Sequence, residues 1–319
     1  MRLAIVIDPL PSIRTYKDST FAMMREAAAR GHELHVILPD GLSWLDGVVM
    51  GRARQIALTG EDGPDVDWYR VDDARSLPLS QFDAVLMRKD PPFDIEYVTA
   101  TWMLEHAVRQ GARVFNDPRA IRDHSEKLSI MQFDQFCAPT LVTRLADDLH
   151  RVIERQQDVI LKPLDGMGGA GIFRVRQDDP NRNMIIETLT EQGARTIMAQ
   201  RYLAAISEGD KRVLLIDGEP VPYCLARIPR AGETRGNLAA GGTGVARPLS
   251  ARDEAIARSV GPELARRGLF LVGLDVIGEH LTEINVTSPT CFREITAQTG
   301  CDVAALFITA LERKVALAA

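Results

Sequence analysis

The hydrophobic periodicity of this chain changes character once, at Asn116-Asp117-Pro118, and that change limits the folds open to it. Upstream, apolar runs at 2–8, 33–38, 83–87 and 112–115 alternate with helical stretches at 20–30 and about 96–110, which Gly31 and Gly111 close at positions suited to a helix C-terminus. Strands alternating with helices predict an open, mostly parallel α/β sheet. Downstream, strand-like runs at 140–143, 158–162, 172–175, 196–200, 211–216 and 219–226 follow one another closely, with Asp217-Gly218 as a hairpin turn. An antiparallel sheet with a few helices is expected there. A helix over about 250–267, strands at 270–277 and 281–286, and a helix over about 302–316 close the chain. The stretch from Ile228 to Gly244 has no periodicity and is dense in Gly and Ala, which predicts a long mobile loop.

At 319 residues the chain can bury a large core in two or three domains. A net charge of -6 argues against a general nucleic-acid binder. The N-terminal MRLAIVIDPLPS is too brief for a secretory core or a membrane span, and no other stretch approaches transmembrane length. Cys137, Cys224, Cys291 and Cys301 are scattered with no CxxC pair, which fits a reduced cytoplasm and small buried hydrophobes. Of the 38 basic residues only 6 are Lys, so a lysine marks a place where a compact point charge is wanted over the planar Arg fork. Five of them (Lys17, Lys89, Lys127, Lys162 and Lys211) fall in the motifs below.

Three segments carry chemistry. In DVILKPLDGMGGAGIFRV, residues 158–175, Lys162 ends an apolar strand and Gly166, Gly168, Gly169 and Gly171 let backbone N–H groups approach a polyphosphate. The lysine precedes the glycines and a strand follows them, so this is not a Walker A loop, and a plain glycine hairpin is the alternative. In LVGLDVIGEHLTEINVTSPT, residues 271–290, Asp275 sits inside an apolar strand, where an uncompensated carboxylate is costly. Glu283 and Asn285, two apart, share a strand face, and with Asp275 they make a hard-oxygen set of the kind Mg²⁺ accepts. A solvated acidic sheet face is the alternative. In 196–221, the connection through Gln200, Tyr202 and Leu203 suits an adenine edge, with Asp210, Lys211 and Arg212 near ribose and phosphate, and ordinary surface residues are the alternative.

Taken in order, these segments resemble the ATP-grasp superfamily. The strings KDSTFAM at 17–23, LMRKDPPFD at 86–94, ILKPLDGMGGAGIFRV, CLARIPRAGETRGNLAAGG at 224–242 and LTEINVTSPTCFRE at 281–294 narrow the resemblance to the prokaryotic glutathione synthases, from the first strand to about Ile295. The resemblance implies a Rossmann-like N-terminal domain (1–122), a central lid subdomain (123–204) and a C-terminal catalytic subdomain (205–319), with ATP between two antiparallel sheets. It also implies a cytoplasmic homotetramer that joins γ-glutamylcysteine to glycine through an acyl phosphate, without nucleic-acid or membrane partners. On matching positions, Lys127, Lys162 and the 166–171 turn would meet the ATP phosphates, Gln200 to Leu203 the adenine and Asp210 the ribose. Arg212, Arg227 and Arg235 would act in catalysis, with Arg230 also in the loop. Asp18, Ser19 and Arg88 would bind the dipeptide, and Asn237, Ser288 and Thr290 would complete the substrate site. Asp275, Glu283 and Asn285 would hold Mg²⁺, with Mn²⁺ as a substitute.

Three other readings compete. Another ATP-grasp ligase, of the D-alanine-D-alanine or glutamate-tagging kind, would share the nucleotide chemistry, but RKDPPFD and RGNLAAGG favour glutathione synthase. A nucleotide-binding regulator without catalysis would have lost the lysines or the metal set, and both are intact. An oxidoreductase would need GxGxxG after the first strand, where DPLPS stands instead.

Overall fold

The computed structural model describes residues 1–317 except 64, 65, 167, 231, 234, 235, 237, 239 and 240. Its first sheet grows from β1 (Arg2–Val6), whose register is parallel both to β2 (Glu33–Ile37) and to β7 (Ala84–Met87). The helix α1 (Ser19–Ala29) makes the crossover, its N-terminus capped by Asp18, which accepts from Phe21 N at 2.7 Å. Between β2 and β7 run β3 (Leu42–Leu45), β4 (Val48–Leu58), β5 (Tyr69–Val71) and β6 (Arg75–Pro78). Then α2 (Ile95–Arg109) leads to β8 (Val114–Phe115), parallel to β7. The parallel order expected from the sequence therefore holds at the centre. Antiparallel β3 to β6 extend the sheet to eight strands, because the short connections between them leave no room for crossover helices.

Two antiparallel sheets follow. After α3 (Pro118–Asp123), a four-stranded sheet contains β9 (Thr140–Thr143), β10 (Asp158–Pro163), β11 (Phe173–Arg176) and β12 (Ile197–Arg201), in the order β11-β10-β12-β9. The helices α4 (Ala146–Gln156) and α5 (Arg182–Leu189) cover one face, where Val159, Leu161, Ile197 and Ala199 bury against Leu149, Ile153 and Ile186. A five-stranded sheet then contains β13 (Asp210–Ile216), β14 (Glu219–Ile228), β15 (Thr243–Pro248), β16 (Leu271–Ile277) and β17 (His280–Asn285). Asp217 and Gly218, both at positive φ, turn β13 into β14 as the sequence predicts. The expected loop is shorter at both ends: Ile228 pairs with Thr243 and Arg227 with Gly244, so the hairpin ladder continues into what reads as an aperiodic stretch.

The helix α6 (Ala251–Arg266) packs under Val213, Leu215 and Leu274 of this sheet, and α7 (Phe292–Thr299) and α8 (Val303–Leu317) return to the N-terminal unit beside α1. Arg30 and His32 reach Glu312 of α8 at 2.8 and 2.7 Å. A second tie is Asn116, whose side chain donates to the Leu271 and Val286 carbonyls at 2.8 Å each and accepts from Leu271 N at 2.7 Å. Asn116→Ala strands these buried groups, and urea denaturation is expected to show a loss of about 3 kcal/mol. A loss below about 1 kcal/mol would mean that water replaces the amide.

Candidate active site

The alternation of side chains along the strands decides what faces the space between the two antiparallel sheets. On β10, Val159 and Leu161 go to the core, so Ile160 and Lys162 face the other way; on β12, Gln200 shares that face through its register with Ile160. On β13, Val213 and Leu215 bury against α6 while Asp210 and Arg212 look across the gap. A cleft of about 330 Å³ results. The same period of two removes Lys211 from it: its Nζ turns away, to the Asp253 carboxylate and to the Gly278 carbonyl at 2.9 Å. The sequence expectation of Lys211 near the phosphates is corrected by strand parity.

The charges are paired across strands. Arg212 and Asp275 are register partners on β13 and β16, as are Asp275 and Glu283 on β16 and β17 and Asp210 and Arg227 on β13 and β14. Arg212 Nε donates to Asp275 Oδ1 at 2.6 Å, and Arg227 Nη2 lies 2.8 Å from Asp275 Oδ2 and 2.5 Å from Asp210 Oδ2. Burial would raise the Asp275 pKa, but the two guanidinium groups outweigh it and hold this carboxyl well below the usual range. Burial also raises Asp210, and with Arg227 shared and Asp275 and Glu283 nearby it is pushed up to about 7. The compensation that the sequence demands for Asp275 is thus supplied by two arginines. Glu283 Oε1 stands 3.5 Å from Lys127 Nζ and 3.7 Å from Lys162 Nζ, and burial pulls the Lys162 pKa down.

The glycine turn closes this end of the cleft. Gly168, Gly169 and Gly171 hold positive φ, and Lys127 Nζ donates to the Gly166 carbonyl at 2.6 Å. Tyr202 and Leu203 line the opposite end beside Gln200, whose Nε2 donates to Thr140 Oγ1 at 3.0 Å. Asn285 spends its Nδ2 on the Gly273 carbonyl at 3.2 Å, which leaves its amide oxygen as the acceptor end. The hard oxygens of Asp275, Glu283 and Asn285 therefore suit a divalent cation by donor chemistry, although among the described residues no cluster of three His, Cys, Asp or Glu forms.

Ser288 and Thr290 line the cleft, but the N-terminal residues expected at the substrate do not. Asp18 caps α1, Ser19 Oγ accepts from Phe292 N at 3.2 Å, and the buried Arg88 donates to Thr20 Oγ1 at 3.1 Å and to the Pro289 carbonyl at 3.0 Å. Arg235 and Asn237 lie outside the described residues. The N-terminal unit instead reaches the cleft through Asp90 and Pro91, and Asp90 accepts from Ser288 Oγ. Glu126 was also not singled out by sequence; it accepts from Val286 N and from Thr287 Oγ1 at 3.0 and 2.9 Å and so shapes the 287–290 turn. The available signals were its place next to Lys127 and, for Asp90, its place inside RKDPP.

The four thiols are free, and burial pushes Cys137 and Cys224 up to about 11, with Cys291 and Cys301 also raised. Raised pKa values leave little thiolate at neutral pH, so alkylation by iodoacetamide is expected to be slow at pH 7 and to speed up as pH rises, with fast reaction only after unfolding. Rapid labelling of Cys137 or Cys224 in the native state at pH 7 would contradict this.

A lysine-lined glycine turn facing a carboxylate-bearing sheet across a cleft defines an ATP-grasp ligase. In solved structures the fold recurs in D-cycloserine synthetase DcsG (TM-score 0.66, 16% identity, covering 98% of this chain and 99% of that one) and in D-alanyl-alanine synthetase A from Vibrio cholerae (TM-score 0.59, 12% identity, 99% of each). A family model for the prokaryotic glutathione synthetase N-terminal domain matches residues 1–122, and one for the prokaryotic glutathione synthetase ATP-grasp domain matches residues 126–300. The glutathione synthetase of Ralstonia nicotianae is 63% identical over 313 residues (98% of this chain, 96% of the relative), and that of Nitrosomonas europaea is 60% identical over 316 residues (99% of each). The chain belongs to the prokaryotic glutathione synthetase family and is an ATP-dependent carbon–nitrogen ligase of glutathione synthesis.

Proposed function

We propose that the cleft joins γ-glutamylcysteine to glycine in two steps. A cysteinyl carboxylate oxygen attacks the γ-phosphorus of ATP, releasing ADP and forming an acyl phosphate; the glycine amine then attacks the acyl carbon, losing a proton and expelling phosphate. No protein nucleophile is needed, and the side chains position and neutralise charge. The observation that carries this reading is the meeting of Lys127, Lys162, Arg212 and Arg227 with Asp275 and Glu283 in one cleft. Lys127, Lys162, Gly166, Gly168 and Gly169 hold the phosphates, Gln200, Tyr202 and Leu203 the base, and Asp210 the ribose. Arg212, Arg227 and Arg235 stabilise the transferring phosphoryl group. Ser288 and Thr290, with Asn237, bind the substrates.

Asp275, Glu283 and Asn285 are the residues that would hold Mg²⁺, or Mn²⁺ in its place; when bound the ion neutralises phosphate charge. Arg88 acts on the substrate side by holding Pro289, and Asp18 and Ser19 by holding α1 and α7 behind it. The loop expected over 228–244, whose ends are held in the β14–β15 ladder and of which residues 231, 234, 235, 237, 239 and 240 lie outside the described residues, serves as a lid that keeps water from the acyl phosphate. We divide the chain into 1–122, 123–204 and 205–319, a reading supported by the separate membership of the three sheets, and take the active form to be a cytoplasmic homotetramer. Among the described residues no helix is long and apolar enough to cross a membrane.

Phosphate release from ATP, measured with γ-glutamylcysteine, glycine and Mg²⁺ and again with each omitted, tests the reading. Full release only in the complete mixture is expected. A preference for D-alanine or for a polypeptide glutamate would overturn the substrates.

A further inference from the structure

We infer that Arg174, locked by Asp158, is a positioning residue that fixes the ring of Tyr202 as the wall of the base subsite. The inference rests on the reading of Tyr202 as part of that subsite. The Arg174 guanidinium carbon stands 3.6 Å from the centroid of the Tyr202 ring, a stacking distance. Its orientation is not left to a flexible side chain. Nε donates to Asp158 Oδ1 and Oδ2 at 3.0 and 3.2 Å, and Nη2 donates to Oδ2 at 2.6 Å, a two-pronged pairing that holds the guanidinium plane. Asp158 also fixes the backbone of the tyrosine, since its carbonyl accepts from Tyr202 N at 2.9 Å. One residue therefore holds Tyr202 at both main chain and ring.

Strand parity explains why this group sits where it does. Arg174 on β11 is the register partner of Ile160 on β10, and Asp158 lies two residues before Ile160, so both share the face that carries Ile160 and Lys162 toward the cleft. They stand at its outer margin. Tyr202 lines the cleft and Arg174 does not, so the ring separates the guanidinium from the cleft. A cation stacked behind an aromatic ring restricts its rotation, and a ring held in one plane binds a flat base with less loss of side-chain freedom.

The test compares Arg174→Ala, Arg174→Met, Asp158→Asn, Tyr202→Ala and the Arg174→Ala/Tyr202→Ala double variant, each checked for an unchanged melting temperature. Tyr202→Ala is expected to raise the KM for ATP, and Arg174→Ala and Arg174→Met to raise it roughly five- to tenfold, as loss of a partly desolvated cation–π contact implies. Asp158→Asn should give a smaller rise in the same direction. For the Arg174 and Asp158 single variants, the KM for γ-glutamylcysteine and kcat at saturating ATP should stay as in the parent, which a general loss of structure would not leave untouched. The double variant should bind ATP no more weakly than Tyr202→Ala alone. If Tyr202→Ala raises the KM for ATP while the Arg174 variants do not, or if the double variant is additive, the positioning role is overturned and the base subsite stands. If Tyr202→Ala itself leaves the KM for ATP unchanged, the base-subsite reading of Tyr202 falls, and this inference with it.

Discussion

Glu283→Gln is expected to lower turnover by about a hundredfold or more while leaving the melting temperature near that of the parent. Among the described residues, Glu283 is the carboxylate of the cleft that pairs with both Lys127, at 3.5 Å, and Lys162, at 3.7 Å. The amide keeps the volume and removes the charge, so two neighbouring ammonium groups lose their common counter-ion and the hard-oxygen set loses a carboxylate. The side chain is 20% exposed, so water can solvate the change, and the stability cost should stay within about 1 kcal/mol. Steady-state phosphate release and thermal unfolding measured on the same preparation separate the two effects. Near-parental turnover at ordinary Mg²⁺ would sink the assignment of Glu283 to the reaction.

Asp275→Asn should differ in kind, since it is expected to lose both activity and stability. The Asp275 side chain is 4% exposed and is held between Arg212 and Arg227, themselves buried. Removing one member of a buried charged network leaves the others uncompensated, which costs about 3–5 kcal/mol. Urea denaturation should show that loss in midpoint with an unchanged slope. The pH dependence has a definite sign: a carboxyl held below its unfolded pKa stabilises the fold fully at neutral pH, and the contribution is lost as pH falls below about 4. Asp210 works in the opposite direction. Its pKa is raised to about 7, so its effect on stability becomes less favourable as pH rises from about 4 toward that value. An Asp275→Asn variant as stable as its parent would mean that the two arginines turn out to solvent without cost.

The sequence by itself determined the local elements and the chemistry of the residues. Strand and helix periods upstream of Asn116, the hairpin at Asp217-Gly218 and the placement of Lys162 before a glycine turn are all local properties, and each lies where the periodicity puts it. An apolar strand carrying Asp275 announced a buried charge that needed a partner. The amphipathic α4 was legible too, with Leu149, Val152 and Ile153 on one face, although it was not singled out. Other elements depend on contacts far along the chain. The strand β15 consists of Thr243-Gly-Val-Ala-Arg-Pro248, in which Gly, Ala and Pro offset the strand preference of Thr243 and Val245, and the open edge of β14 makes it a strand.

What only the tertiary structure decided is which charges meet. Arg212 and Arg227 become the partners of Asp275 because the registers of β13, β14 and β16 set them side by side, and register is a property of pairs of strands. The same packing takes Asp18 and Arg88 out of the cleft, to a helix cap and to the Pro289 carbonyl, and brings Asp90 to Ser288 in their place. A side chain's chemistry is written in its own residue, but its partner is chosen by the packing of segments nearly two hundred residues apart.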